Sequence, residues 1–204
     1  FHVYGLNGCG TVTEETKLAP VNPYAITHAM AEMYVAMYAR QRRNGATILR
    51  VSNGVGAPVY PGVNAWMLIV NDLCRQAVQY DRIVLRSSGL QLRDFVDLSD
   101  IVRAIELVLS DTGTEVRTFN VGGASCPILE VAHTIQDIYA VMFDRELSLE
   151  RPEPSVGETG GHLDFRYESI RAAGYDPKVT LQEGVRETLE FCNDQFAEGI
   201  VAPR

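Results

Sequence analysis

The chain has 204 residues, of which 46% are hydrophobic and 22% charged, and its formal net charge is −8. This composition is typical of a globular protein with a sizeable core, and the longest apolar stretches, such as 101–109, are too short and too often interrupted by charge to span a membrane. Because nucleic acids are bound by clustered Lys and Arg, the negative charge and the scattered basic residues argue against a nucleic acid partner.

Segments with strand-like and helix-like patterns alternate along the first part of the chain. In order, the patterns predict a strand at 1–4, a polar loop at 5–21, a helix at 23–43 with Asn22 as its cap and Pro23 in its first turn, a buried strand at 46–51, a Gly/Pro-rich loop through Gly62, and a helix from Asn64 to about Gln79.

The alternation continues to the end of the chain. The patterns predict a strand at 82–85, an extended segment at 90–98, a helix at 100–110, a strand at 117–121, helices at 127–143 and 166–173, and a last helix opened by the capping box Thr180-Leu-Gln-Glu183. Such alternation is typical of an α/β protein with a largely parallel sheet.

The cysteine spacing bears on the cellular location of the protein, and the first residues bear on where the chain begins within its fold. Cys9, Cys74, Cys126 and Cys192 lie far apart without a Cys-x-x-Cys pair, so we expect neither a metal site nor a disulfide framework, and a cytoplasmic location fits best. No signal sequence precedes the strand-like residues after Phe1, so we expect the chain to begin inside a domain.

One pair of residues suggests acid/base chemistry. Tyr24 and His28 are four residues apart at the start of the first helix, so their side chains lie on the same face, one turn apart. A tyrosine with a reference pKa of about 10 is a poor base unless a nearby positive charge favours the phenolate, and a partner one turn along can supply that charge. By itself, such a pair is also common on ordinary helices.

A series of short motifs gives this pair a context. In chain order they are Val3-Tyr4-Gly5, Glu14, Pro23-Tyr24-Ala25-Ile26-Thr27-His28 with Glu32, Leu49-Arg50-Val51-Ser52-Asn53, Gly56-Ala57-Pro58, Gly89 to Val96 with Asp100, Phe119-Asn120-Val121-Gly122-Gly123, and Ala173 to Pro177. Each motif is weak alone. Together and in this order they cover nearly the whole chain, and the sequence resembles the extended short-chain dehydrogenase/reductase family.

The resemblance implies an α/β fold with a partial Rossmann-like parallel sheet and a small C-terminal α/β substrate domain. Residues 1–62 would be the C-terminal part of the cofactor-binding domain, including the Tyr24 helix. Residues 63–204 would be mostly substrate-binding, with segment 91–123 partly returning to the Rossmann sheet. NAD or NADP is the implied cofactor and a nucleotide-diphosphate sugar the implied substrate, and the family commonly forms homodimers through the Tyr24 helix.

The resemblance also implies roles for single residues. Tyr24 matches the tyrosine that exchanges a proton with a sugar hydroxyl, and Val51 falls where backbone meets the nicotinamide carboxamide. His28 stands where the family has a lysine that holds the nicotinamide ribose and lowers the tyrosine pKa. The implied substrate-binding residues are Asn53, Asn64 and Arg93 for the diphosphate, with Leu85 and Arg86 beside the base. A guanidinium such as that of Arg93 can bind phosphate oxygens bidentately.

The histidine at position 28 departs from the family pattern. Neutral imidazole predominates at pH 7, with a reference pKa of about 6.5, and it reaches less far than lysine, so it would activate Tyr24 less well. We therefore expect either slow turnover or a His28 that serves as a ribose donor with a raised pKa.

The resemblance favours one activity and leaves two others open. The dehydratases and decarboxylases of the family usually carry acidic residues where Phe1 and His2 stand. Their absence favours NAD(P)-dependent epimerisation through a keto intermediate, with Tyr24 as the acid/base. The alternatives are an NADP-dependent nucleotide-sugar ketoreductase and a noncatalytic nucleotide-sugar-binding or dimerisation module, the latter because the chain lacks the glycine-rich cofactor segment.

Overall fold

The computed structural model describes residues 1–7, 9–110 and 113–197. Within this part the helices are a 3₁₀ helix (His2–Asn7), α1 (Pro23–Arg42), α2 (Ile69–Tyr80), α3 (Leu98–Leu109), α4 (Ile128–Phe143), α5 (Glu168–Ala172) and α6 (Leu181–Phe196). The strands are β1 (Gly10–Val12), β2 (Ala46–Val51), β3 (Asn53–Val55), β4 (Arg82–Val84), β5 (Leu92–Asp97), β6 (Val116–Val121), β7 (Ala124–Pro127), β8 (Ser148–Glu150) and β9 (Leu163–Phe165). Gly8, in the predicted loop, and residues 198–204 lie outside the described residues.

Most of the strand pairs are parallel. The described strands form four small sheets, in which β1 pairs with β9, β2 with β6, β3 with β5 and β4 with β8 in parallel, and β5 pairs with β7 in antiparallel orientation. The predicted α/β class with largely parallel strands is therefore confirmed. The division of the chain into two domains stays a prediction.

The pair β2–β6 joins segments that are far apart in the sequence. Its register runs from Ala46 opposite Val116 to Val51 opposite Val121. Apolar side chains of α3 and α5 pack with this pair, among them the fully buried Ala104 and Ile170. A separate core gathers apolar residues of α2, α4 and α6.

Local signals in the sequence explain how α1 is bounded. The Oδ1 of Asn22 accepts a hydrogen bond from the backbone N–H of Ala25 at 2.9 Å, and Pro23 occupies the first turn, as predicted. The helix ends where Arg43 turns into the left-handed conformation with φ 54°, so that its N–H reaches the carbonyls of Ala39 and Arg40. The capping box of Thr180 and Glu183 at α6 is also confirmed.

The predicted strand at 1–4 is wrong. Residues His2–Asn7 form a 3₁₀ helix, which begins with a turn in which the N–H of Tyr4 donates to the carbonyl of Phe1. Val3 and Tyr4 are buried, so their apolar character signalled burial and not an extended backbone. The predicted start of α2 at Asn64 is also too early, because 64–67 form turns held in part by the Trp66 indole N–H donating to the Pro61 carbonyl.

Gly5 is required by the turn that follows the buried Tyr4. Its φ is 53°, and a Cβ at this position would lie 1.8 Å from the carbonyl oxygen of Ala19. We expect Gly5→Ala to lower the free energy of unfolding by about 3 kcal/mol or more, because left-handed strain and overpacking add. Urea titration followed by circular dichroism measures this change.

Gly10→Ala is the matched control for this prediction. Gly10 also has a positive φ, 71°, but nothing lies within 4 Å of the added Cβ. It should therefore show only the strain of the left-handed conformation, about 1–2 kcal/mol. Equal destabilisation by the two variants would contradict the proposed clash with Ala19.

Candidate functional site

A groove of about 560 Å³ runs along β2 from Thr47 to Val51 and beside the N-terminal half of α1. It brings together four of the residues that the sequence singled out, namely Tyr24, His28, Val51 and Asn53. Val51 is the last residue of β2, which runs parallel to β6. Ligands of parallel α/β sheets bind outside the carboxyl ends of the strands, so the groove has the expected position for a binding site.

The two rings at the start of α1 stack on each other. The ring centroids of Tyr24 and His28 are 4.2 Å apart and the ring planes are tilted by 38°. The Nδ1 of His28 lies 2.9 Å from the carbonyl oxygen of Tyr24. Tyr24 is 61% exposed, so its hydroxyl-bearing ring is accessible from the groove and is not part of the core.

His2 is a third ring of this site, which the sequence-based set of site residues did not include. It meets Tyr24 edge to face, with centroids 5.7 Å apart and planes at 87°. Burial is the largest cause that lowers the pKa of His2 from its ordinary value of 6.5. The positive charges of Arg93 and His28 act in the same direction. The sequence signal for His2 was its place directly before the Val3-Tyr4-Gly5 motif.

The lowered pKa of His2 predicts a pH dependence of stability. A histidine whose pKa is lowered on folding binds fewer protons in the folded than in the unfolded protein, so stability falls as the pH drops below 6.5 towards the folded-state pKa. We expect NMR titration of the ring protons to give a midpoint for His2 below 6.5. The His2→Gln variant identifies the signal, and a midpoint at or above that value would contradict the prediction.

A largely buried polar network, whose Glu32 and Arg50 also line the groove, joins α1 to β2. The guanidinium of Arg50 on β2 donates to both carboxylate oxygens of Glu32 on α1, with the shortest bond 2.8 Å, to the hydroxyl of Tyr4 at 3.1 Å and to the carbonyl of Glu14 at 3.0 Å. The Tyr4 hydroxyl donates to Asn120 Oδ1 at 2.5 Å. The side chains of Arg50 and Glu32 are only 10% and 15% exposed. This network ties α1, and with it Tyr24, to the end of the sheet.

Asn53 connects the groove to β5. Its Nδ2 donates to the backbone carbonyl of Asp94 at 2.7 Å. The Asp94 carboxylate is buried, accepts hydrogen bonds from the N–H of Gly123 and the hydroxyl of Ser125, and has its pKa raised by that burial. The Asp94 carboxylate therefore holds the backbone at Gly123 in place. Its neighbour Arg93 donates to the carbonyl of Leu92 at 3.0 Å.

The remaining predicted residues do not line the Tyr24 groove. Leu85 and Arg86 lie on a second groove of about 520 Å³, together with Trp66 and Arg75. Leu85 itself is 5% exposed and belongs to the core of the C-terminal part, so mainly its backbone is available to a ligand. Asn64 is exposed in the turns before α2 and is not among the residues that line either groove.

The described part of the chain also bears on metal binding and on membrane insertion. Within residues 1–7, 9–110 and 113–197, no three His, Cys, Asp or Glu side chains gather in a way that could hold a metal ion. The same part contains no helix that is both long and apolar enough to cross a membrane.

Comparison with known sequences finds a matching family model and several relatives. A sequence model of the NAD dependent epimerase/dehydratase family matches residues 2–122. An uncharacterised UDP-glucose epimerase of Bacillus subtilis is 27% identical over 92% of this chain and 57% of the relative. A dTDP-glucose 4,6-dehydratase of Escherichia coli is 29% identical over 88% of this chain and 49% of the relative. The chain thus spans about half the length of these curated relatives.

Solved structures agree with the fold. The UDP-glucose 4-epimerase of Thermotoga maritima, solved with UDP-glucose, is similar with a TM-score of 0.73 and 26% identity over 93% of this chain and 60% of the other. The dTDP-glucose 4,6-dehydratase of Bacillus anthracis, solved with NAD, has a TM-score of 0.74 and 26% identity over 95% and 59%. The UDP-glucuronic acid 4-epimerase of Bacillus cereus, at 20% identity and a TM-score of 0.77, supports the fold alone.

Proposed function

Because the chain belongs to the NAD dependent epimerase/dehydratase family, which confirms the resemblance seen in the sequence, we propose that it carries the acid/base site of an NAD-dependent nucleotide-sugar epimerase. The observation that carries this proposal is the exposed Tyr24 ring, in contact with His28 in the groove that runs along β2 to its carboxyl end. Similarity to a UDP-glucose epimerase and to a UDP-glucose 4-epimerase solved with its substrate supports the choice of substrate class.

Tyr24 would exchange the proton of the reaction. Its phenolate oxygen would take the proton of a sugar hydroxyl as the attached carbon is oxidised, and the resulting hydroxyl would return the proton when the carbonyl is reduced on the opposite face. When bound, NAD would accept hydride from the sugar carbon and give it back. A phenol with a reference pKa of about 10 needs nearby positive charge for this role. The imidazole of His28, in ring contact with Tyr24, is the candidate partner for this role.

The residues of this chain fit the nicotinamide end of such a cofactor. Tyr24, His28 and Val51 line one groove. The exposed hydroxyl of Tyr24 and the imidazole of His28 are suited to bind a ribose, and the backbone of Val51 at the strand end is suited to bind a carboxamide. The Val51 carbonyl already accepts a bond from the Phe1 nitrogen at 2.6 Å, which leaves it a second lone pair for a ligand.

The substrate would extend from this groove towards β5 and the second groove. We propose that Asn53, Asn64 and Arg93 bind the diphosphate and that Leu85 and Arg86 lie beside the base. Arg93 precedes Asp94 on β5, and the backbone carbonyl of Asp94 accepts the hydrogen bond of Asn53, which supports this assignment. The backbone of Leu85 and the neighbouring Arg86 border a groove of about 520 Å³.

Product analysis tests the proposed activity. The purified protein is incubated with UDP-glucose or dTDP-glucose and a trace of NAD, without any further oxidant or reductant, and the products are identified by NMR. We expect the 4-epimer to form. Product that forms only with stoichiometric NADPH would indicate a ketoreductase instead. Calorimetric binding of the sugar nucleotide without any turnover would indicate a binding module and would contradict the proposed epimerase.

Replacing His28 with lysine tests the role of this position. Lysine keeps its charge at neutral pH and reaches further than imidazole, so His28→Lys is expected to raise the turnover number severalfold, by about three- to tenfold if phenolate stabilisation gains about 1 kcal/mol. His133→Lys on α4 is the control for added charge alone. An unchanged or lower turnover in His28→Lys would count against the proposed activation of Tyr24.

The exposed face of α1 supports a homodimer. Met30, Met33 and Met37 follow helical spacing, and they are 50%, 67% and 40% exposed, so they are not core residues of the described chain. Exposed apolar side chains on one helix face are typical of protein contacts. We propose that two chains associate through this face of α1, which sedimentation analysis of Met33→Glu beside the unmodified protein would test. A cytoplasmic location stays a prediction.

A further inference from the structure

His2 is a groove residue to which the proposed reaction gives no role. Its ring meets the Tyr24 ring edge to face with centroids 5.7 Å apart, and it reaches Tyr24 from the 3₁₀ helix and not from α1. His2 lines the groove and is exposed. A ligand whose hydroxyl meets Tyr24 therefore brings its neighbouring groups close to the His2 imidazole.

The charge balance around His2 is positive. Partial burial, and after it the positive charges of Arg93 on β5 and His28 on α1, lower the pKa of His2 from 6.5. Among the described residues that line the groove, Glu32 is the one acidic side chain, and its carboxylate pairs with the Arg50 guanidinium at 2.8 Å. A bound anion beside His2 would oppose these effects, because a nearby negative charge favours the protonated imidazole.

The chemistry of the sugar determines which of its groups lies beside His2. In the proposed reaction Tyr24 acts on the hydroxyl of the sugar carbon that is oxidised. The neighbouring ring carbon bears the exocyclic carbon, which is a neutral hydroxymethyl group in glucose and a carboxylate in a uronic acid. The exocyclic group is thus close to the reacting hydroxyl, and a residue in ring contact with Tyr24 is placed to distinguish its two forms.

We propose that His2 is a specificity-determining residue that binds the carboxylate of a nucleotide-linked uronic acid, so that this class is the preferred substrate. The carboxylate stays ionised at neutral pH, since carboxyl groups have reference pKa values of about 3.5 to 4.5. It accepts a hydrogen bond from the imidazole, which takes up a proton from solvent as the ligand binds. The inference deepens the proposed function and rests on it, because the hydroxyl that meets Tyr24 brings the carboxylate to His2.

NMR titration tests the contact between His2 and the carboxylate. UDP-glucuronic acid and UDP-glucose share the nucleotide and the diphosphate and differ only at the exocyclic carbon, so their comparison isolates the carboxylate. We expect the His2 midpoint to be higher by about 0.5 pH unit or more with UDP-glucuronic acid than with UDP-glucose. His133 on α4 is the internal control and should respond equally to both ligands. Equal His2 midpoints with the two bound ligands would overturn the inference.

Calorimetry at two pH values tests the preference itself. At pH 6 we expect UDP-glucuronic acid to bind about tenfold more tightly than UDP-glucose, as for one charge-assisted hydrogen bond at a partly exposed site. The ratio should fall towards one at pH 8, because His2 loses its proton. In His2→Gln the ratio should be lower at pH 6, whereas His2→Lys should keep it at pH 8, because lysine stays charged. A merely structural His2 would not give this dependence on pH and charge.

Turnover separates the inference from the proposed function. We expect both nucleotide sugars to be epimerised, with the higher kcat/KM for UDP-glucuronic acid. Equal or better use of UDP-glucose would overturn the preference and leave the proposed epimerase intact. The expected binding preference without any product would contradict the epimerase and support the role of His2 in recognition. A protein that binds neither nucleotide sugar would overturn both.

Discussion

Replacing Arg50 with methionine is expected to lower the free energy of unfolding by about 3 to 5 kcal/mol, because it leaves a buried carboxylate without its partner. The carboxylate of Glu32 is only 15% exposed, and Arg50 holds it with a bidentate interaction. The same change removes a donor from the Tyr4 hydroxyl and from the Glu14 carbonyl. Chemical denaturation monitored by circular dichroism measures the loss.

Two controls separate the network from a general effect of losing a charge. The pair of Arg82 and Glu150 is exposed, at 48% and 60%, with 3.9 Å between its charged atoms, so Arg82→Met should change stability by no more than about 0.5 kcal/mol. The double variant Arg50→Met with Glu32→Met should be less damaging than Arg50→Met alone, since no unpaired charge remains. Similar values for Arg50→Met and Arg82→Met would refute the role of the network.

Replacing Tyr24 with phenylalanine is expected to lower the epimerisation rate by about 100- to 10,000-fold, the range for removal of an acid/base group. The fold should be unaffected because Tyr24 is 61% exposed, and exposed substitutions usually change stability by less than about 0.5 kcal/mol. The measurement is the initial rate of 4-epimer formation beside the thermal unfolding midpoint of each variant.

Tyr34→Phe is the matched control on the same helix. Tyr34 is 58% exposed, and it does not line the groove that contains Tyr24. Its loss of a hydroxyl should leave the rate within about twofold of wild type, as for a surface change away from the site. A Tyr24→Phe protein that keeps a rate within tenfold of Tyr34→Phe would exclude Tyr24 as the acid/base.

The parts of the fold that depend on local chemistry could be predicted from the sequence. The cap at Asn22, the proline at position 23 and the capping box of Thr180 and Glu183 act within a few residues, so α1 and α6 begin where their signals stand. The strand predicted at 1–4 failed for a physical reason: buried apolar residues look alike in a strand and in a 3₁₀ helix. The turn hydrogen bond from the Tyr4 N–H to the Phe1 carbonyl at 3.0 Å distinguishes the two.

The site could be predicted only in part. Tyr24 and His28 are neighbours on one helix, so their contact follows from their spacing. The contact of His2 with Tyr24 depends on how the 3₁₀ helix packs against α1, and no local pattern contains that information. Leu85 and Asn64 lie away from the Tyr24 groove for the same reason, because the position of α2 relative to the sheet is set by long-range packing.

The motifs also had meanings that the sequence alone did not show. In the sequence, five residues belonged to separate motifs of the family pattern, namely Tyr4, Glu14, Glu32, Arg50 and Asn120. The structure joins them in one hydrogen-bonded network that links α1 to the end of the sheet.

A single residue, Ser52, separates β2 from β3, and the two strands belong to different sheets. Val51 is the last residue on one side of this joint, and Asn53 is the first on the other. The Ser52 N–H donates to the Val121 carbonyl at 2.9 Å, so the chain changes partner from β6 to β5 at this residue without losing its hydrogen bond. Val51 and Asn53 both line the groove, so a single bound molecule can touch the end of one sheet and the start of the next.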